Sequence, residues 1–176
     1  GYFRNIYGGN YNGTFKGDSY ITVTGGFFDN MIAGGSFMGN FKGDAHVNIG
    51  GDAVMVYLST TQGVIGSSCG SGSTPYTFDG NIYMNLHGNC RINSSVYGAS
   101  RYGNVTTTGN VEITVKDDAF IYQNLYAGGY AGTLNGSTKV VVDDGWVGVN
   151  LAGGSRGGTV NGDAYVEVNG GKLNYF

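Results

Sequence analysis

The residues able to do chemistry are few and far apart. Asp117, Asp118, Asp143 and Asp144 form two carboxylate pairs in the second half of the chain. Brought together, they could hold Ca²⁺ through oxygen ligands or work as an acid/base pair on a glycosidic bond. The competing reading, which is preferred, is a set of turns that use Asp for its backbone geometry. His46 and His87 sit at different offsets from their nearest strand starts, which makes them surface histidines and not a metal pair. Ser155 lies in Gly153-Gly154-Ser155-Arg156-Gly157 without the strand-to-helix elbow of a nucleophilic serine. The same glycines could cradle an anion, but no helix follows them. Cys69 and Cys90 make neither a CxxC pair nor a zinc-finger spacing. A disulfide between them is open in an oxidising compartment, the alternative being two separate thiols, one of them packed inside. The sequence therefore assigns no catalytic residue and no cofactor, with Ca²⁺ at the aspartate pairs as the one metal to weigh.

The elements that must position these residues repeat along the chain. Met31-Ile32-Ala33-Gly34-Gly35-Ser36, Leu151-Ala152-Gly153-Gly154-Ser155, Tyr126-Ala127-Gly128-Gly129 and Ile6-Tyr7-Gly8-Gly9 are variants of one phrase. Each leads through a short segment and a Gly into an alternating strand. Those strands begin at Asp18, Asp44, Asn81, Asn110, Ser137 and Asp163, at intervals of 26, 37, 29, 27 and 26 residues. A period near 26 suits one turn of a solenoid built from short strands, being too long for a leucine-rich repeat and too short for a propeller blade. The long interval predicts an insertion of about eleven residues, placed in the Gly/Ser-rich stretch 62–74 as a protruding loop.

Aligned on those starts, the strands resolve into columns. Ser19, Ala45, Ile82, Val111, Thr138 and Ala164 form one. Ile21, Val47, Met84, Ile113, Val140 and Val166 form the next, followed by Val23, Ile49, Leu86, Val115, Val142 and Val168. All three are small or aliphatic, and the positions between them are mixed and mostly polar. This is period-two alternation with one face buried. Gly, Asn and Asp pairs follow each strand, as turns with positive φ require. No stretch carries the i, i+3, i+4, i+7 pattern of a helix. The expected fold is all-β: a single parallel β-solenoid domain over residues 1–176, right-handed and three-sided, with about six rungs.

Composition narrows the function. The chain holds 35 Gly and one Pro, and charged residues make up only 12%. Nine Phe and 14 Tyr, with regular β-branched runs, set it apart from a disordered chain. The nine Lys and Arg are scattered, so no basic stripe for nucleic acid exists. No apolar run approaches the roughly 20 residues of a membrane helix.

The recurring phrase, (I/L/Y)-(A/Y)-G-G-(S/N/Y) followed by G-(D/N/S)-x-x-V-x-(V/I), resembles the parallel β-helix passenger and stalk domains of bacterial surface proteins, including autotransporter-like adhesins. The resemblance covers nearly the whole chain. It implies an extracellular or cell-surface location and a structural or adhesive role, displaying a repetitive face to glycans or host surfaces. A polysaccharide lyase or hydrolase on the same fold is the enzyme alternative, since fold does not decide among such activities. Tyr20, Tyr83 and Tyr165 share an outward column and are candidate sugar contacts, although tyrosine also serves a strand on its own account. Tyr2 and Phe3 at one end, and Leu173, Tyr175 and Phe176 at the other, carry no polar cap. They are therefore candidate contacts for end-to-end stacking of copies or for flanking repeats.

Overall fold

A computed structural model describes residues 1–173, so Tyr175 and Phe176 of the expected end contacts lie outside the described residues. Among the described residues there is no helix, and the chain coils through three parallel sheets for about six turns. The alternating strands make the first sheet. Ser19–Val23, Ala45–Ile49, Ile82–Leu86, Val111–Val115, Thr138–Val142 and Ala164–Val168 lie side by side in that order. Their register has no slip: Ile21, Val47, Met84, Ile113, Val140 and Val166 are successive partners. In-register rungs lie ~4.8 Å apart, so like side chains touch along the axis. The inward columns are buried from Ile21 to Val142, and each enclosed aliphatic contributes roughly 1.5–3 kcal/mol. The two hydroxyls in the inward column are satisfied: Ser19 Oγ donates to the Gly34 carbonyl and Thr138 Oγ1 to the Gly153 carbonyl, each at 2.6 Å.

The second sheet is narrower, with Phe41 paired to Phe15 and to Phe78. Their rings stack at 4.9 and 4.6 Å, and the Phe41 and Phe78 planes are only 3° apart. The third sheet is bent. Phe27–Ala33 is one strand, but the next rung answers it with two, Val54–Met55 and Gly63–Ile65. On either side of the bend, Phe28, Met55, Ile92 and Ile121 point inward, as do Ile32, Val64, Val96 and Leu125, and all join one core.

The insertion differs from the single loop expected at 62–74. Gly63–Ile65 is a fully buried strand, and the buried run continues to Gly70. The extra residues divide into two parts around it. Phe28 and Met31 are three positions apart, whereas their partners Met55 and Gly63 are eight apart. Ala33 and Phe41 are eight apart, whereas their partners Ile65 and Phe78 are thirteen apart. The β-branched pair Val64-Ile65 is drawn into the stack because it continues the columns of Ile32 and Ala33. Only the flanking residues are left to bulge.

Two ladders fix the corners. At the strand starts, each side chain accepts a backbone N–H from the following rung. Asp18 takes that of Asp44, Asp44 that of Asn81, Asn81 that of Asn110, Asn110 that of Ser137, and Ser137 that of Asp163, at 2.7–3.1 Å. These residues end one rung's turn and hold the next in register. At the second corner a Cβ on Gly34 would overlap the carbonyl oxygen of Gly66, and one on Gly66 that of Gly98. Gly34 and Gly66 of the repeated phrase are there for close backbone approach. Pairing of Tyr97 with Tyr126 and of Tyr126 with Ala152 puts Ala127, one residue ahead of the phrase's first Gly, in this same column.

Gly66→Ala should cost about 1–3 kcal/mol, because its Cβ meets both the Gly98 carbonyl and the Ile82 side chain. Urea denaturation measures this directly; an unchanged midpoint would show that the corner can relax without loss.

Candidate functional site

Alternation in the bent sheet turns one column outward. Phe27, Val54, Arg91, Phe120, Trp146 and Lys172 are rung-to-rung partners in it. The turn before each of these strands places Asp52, Asn89 and Asp118 beside the column. Between the two rows runs an open groove of about 690 Å³, lined by Asp52, Val54, Asn89, Arg91, Asp118, Phe120 and Trp146. Its apolar wall is a ladder of cations and rings. The Arg91 guanidinium lies 5.6 Å from the Phe120 ring centre, Phe120 and Trp146 are 5.6 Å apart at 41°, and Lys172 Nζ sits 4.5 Å over Trp146. On the polar wall, Asn89 Nδ2 donates to Asp52 Oδ1 at 3.3 Å. Apart from Asp118, these residues carried no signal in a search for catalytic types. They become visible only when the residue after each turn is aligned as a column of its own.

The four aspartates separate in role. Asp118 lines the groove. Asp117 has a φ of +58°, a left-handed turn, and its carboxylate accepts the Gly88 N–H at 3.0 Å. Asp144 accepts from the N–H of Gly145 at 2.8 Å, and Asp143 from Asn169 Nδ2 at 2.9 Å. Three of the four are thus hydrogen-bonded within turns and between rungs. Among the described residues, no group of three His, Cys, Asp or Glu is arranged to hold a metal ion.

Tyr20, Tyr83 and Tyr165 do share the outward column of the first sheet, with His46, Glu112 and Lys139 between them. His46 is sandwiched: its ring is 4.6 Å from Tyr20 at 2° and 4.9 Å from Tyr83 at 14°. The three rings thus pack face to face along the row. Tyr165 stands three rungs beyond Tyr83, with Lys139 Nζ 5.9 Å over its ring and its hydroxyl donating to Glu167 at 3.1 Å.

A second aromatic group lies outside the main core. Met31, Ala33, Ile65, Cys69 and Tyr97 form a small cluster of their own, packed by Tyr7, Phe37, Tyr126 and Tyr130. The extra residues after Met55 fold over it. The Thr60 carbonyl accepts from the Tyr97 hydroxyl and, at 3.2 Å, from Arg156 Nη1. Arg156 in turn lies 4.7 Å over the Tyr130 ring.

The disulfide considered from the sequence does not form. Both cysteines are free and buried, with Cys90 in the main core and Cys69 in the outer cluster, where its sulfur lies 3.1 Å from that of Met31. Different clusters claim the two sulfurs. Burial pushes the Cys69 thiol up to about 12 and the Cys90 thiol up to about 11, from an ordinary value of 9.0.

A thiol reagent at pH 8 should therefore label neither cysteine in the folded protein and both after denaturation; labelling in the native state would contradict this packing. Because the folded values are raised, the unfolded thiols ionise first. Stability held below pH 9 should then be lost as pH rises through 11 and 12, which urea titration at several pH values would follow.

No family model, curated protein or solved structure matches the chain. The resemblance to surface adhesins rests on the repeat phrase, and the architecture is what carries forward.

Proposed function

We propose that the chain is a structural module of an extracellular or cell-surface assembly, a rigid column continued either by a second copy stacking head to tail or by flanking repeats of a longer stalk. The observation that carries this reading is the state of the last rung. Val166 and Val168 continue the inward columns yet are 42% and 46% exposed, while Val140 and Val142 one rung earlier are fully buried. At the other end Tyr2 and Phe3 are exposed, with the Phe3 ring stacked 5.9 Å from that of Phe28, and Leu173 beside Val147 is likewise exposed. Inside the first rung, by contrast, Ile21 and Val23 are buried.

A second copy suits the edges because the columns match. Ala164, Val166 and Val168 end the inward columns that Ser19, Ile21 and Val23 begin. The acceptor ladder has reached Asp163, and the backbone N–H of Asp18 occupies the equivalent place in a following copy. Such a contact joins unlike surfaces and propagates, giving a filament and not a closed ring. Display then follows from rigidity: outward rows such as Tyr20–His46–Tyr83 recur at fixed spacing along the column.

Negative-stain electron microscopy and sedimentation across a concentration series test the reading. Filaments or axial oligomers that grow with concentration and vanish in Val166→Asp are the expected result. Dispersed single particles at every concentration would overturn stacking of copies and leave flanking repeats as what covers the end rungs.

A further inference from the structure

We propose that the groove between the Asp52–Asn89–Asp118 row and the Val54–Phe120–Trp146 wall binds a neutral oligosaccharide lying along the solenoid axis. The proposal does not depend on end-to-end assembly, since none of these residues belongs to a terminal inward column.

The groove has the size of a ligand cleft, about 690 Å³ within the ~300–1,000 Å³ usual for one. Its two walls differ in kind. One offers carboxylate and amide groups on successive rungs, which are ~4.8 Å apart. The other offers Val54 and the Phe120 and Trp146 side chains, whose rings are tilted 41° to one another, with Lys172 Nζ over the Trp146 ring. A ligand that fits both walls needs an apolar C–H surface on one side and hydroxyls on the other, and a pyranose has both. Its hydroxyls donate as well as accept. Asp52 and Asp118 can only accept, while Arg91 can only donate and Asn89 can do both.

Charge selects within the sugars. Two carboxylates line the groove against a single guanidinium, which itself lies toward the Phe120 ring. A uronic acid or sulfated sugar would meet Asp52 and Asp118 along the polar wall, Lys172 lying over Trp146 outside the lining. Orientation follows from the row: hydrogen-bonding groups at Asp52, Asn89 and Asp118 repeat along the axis, so a linear chain meets one rung after another.

The test is calorimetry of the folded chain with neutral gluco-, manno- and galacto-oligosaccharides of two to four units, and with uronic-acid oligosaccharides of the same lengths. The Val166→Asp background keeps assembly out of the measurement. At least one neutral series should bind, and Trp146→Ala should weaken it about tenfold, the scale of one lost aromatic contact. Because Trp146 also packs against Phe120, the groove-side variants Asn89→Ala and Asp118→Ala provide a second arm. They should weaken binding with the thermal transition unchanged. Absence of binding to any neutral series would overturn the proposal, as would tighter binding of the uronic-acid series. So would neutral binding that survives all three variants but falls in Tyr20→Ala or Tyr83→Ala, which would place the ligand on the other face.

Discussion

Everything in this protein depends on the in-register stacking of parallel rungs ~4.8 Å apart. A rung alone cannot enclose its apolar side chains; each inward residue is closed off by the same column position in the rungs on either side. Met84 is buried with Val47 and Ile113 on either side, and Val166, with Val140 alone, is exposed, whereas Ile21, with Val47 alone, is buried in a core that Ile6 and Phe15 of the first turn pack against. Stability is therefore shared along the axis, and the ends differ from the middle in kind.

The same spacing decides what polar and aromatic residues can do. Asp18, Asp44, Asn81 and Asn110 each reach a backbone N–H one rung away, because the spacing suits a short side chain. Neighbouring rings at that spacing have little choice but to stack. Phe41 on Phe78 fills the interior, while Tyr20 on His46 forms an outer row. The bent sheet breaks this regularity. Its turn row and outward row diverge enough to leave a groove, and its column mixes cations with rings.

Much of the fold was legible in the sequence because period-two alternation and Gly/Asn/Asp turns are local signals. The six strand starts and three inward columns needed no knowledge of distant contacts. The insertion was misplaced because Gly63 and Ser67 to Gly70 have loop composition, while their burial comes from partners in neighbouring rungs such as Ser95. The site was less legible. Trp146 and Arg91 sit in strands of two residues, too short for alternation to reveal which way they face. The pairing of Cys69 with Cys90 could not be judged without knowing that their clusters are separate.

The most direct test of the stacked-rung account is the set of nuclear Overhauser contacts made by Met84 in the isotope-labelled protein. Parallel rungs predict contacts from Met84 to Val47 and to Ile113, 37 and 29 residues away, with Tyr83 answering to His46 and Glu112. Contacts instead joining Ile82–Leu86 antiparallel to Tyr76–Asp79, the strand just before it, would describe a hairpin and contradict the solenoid.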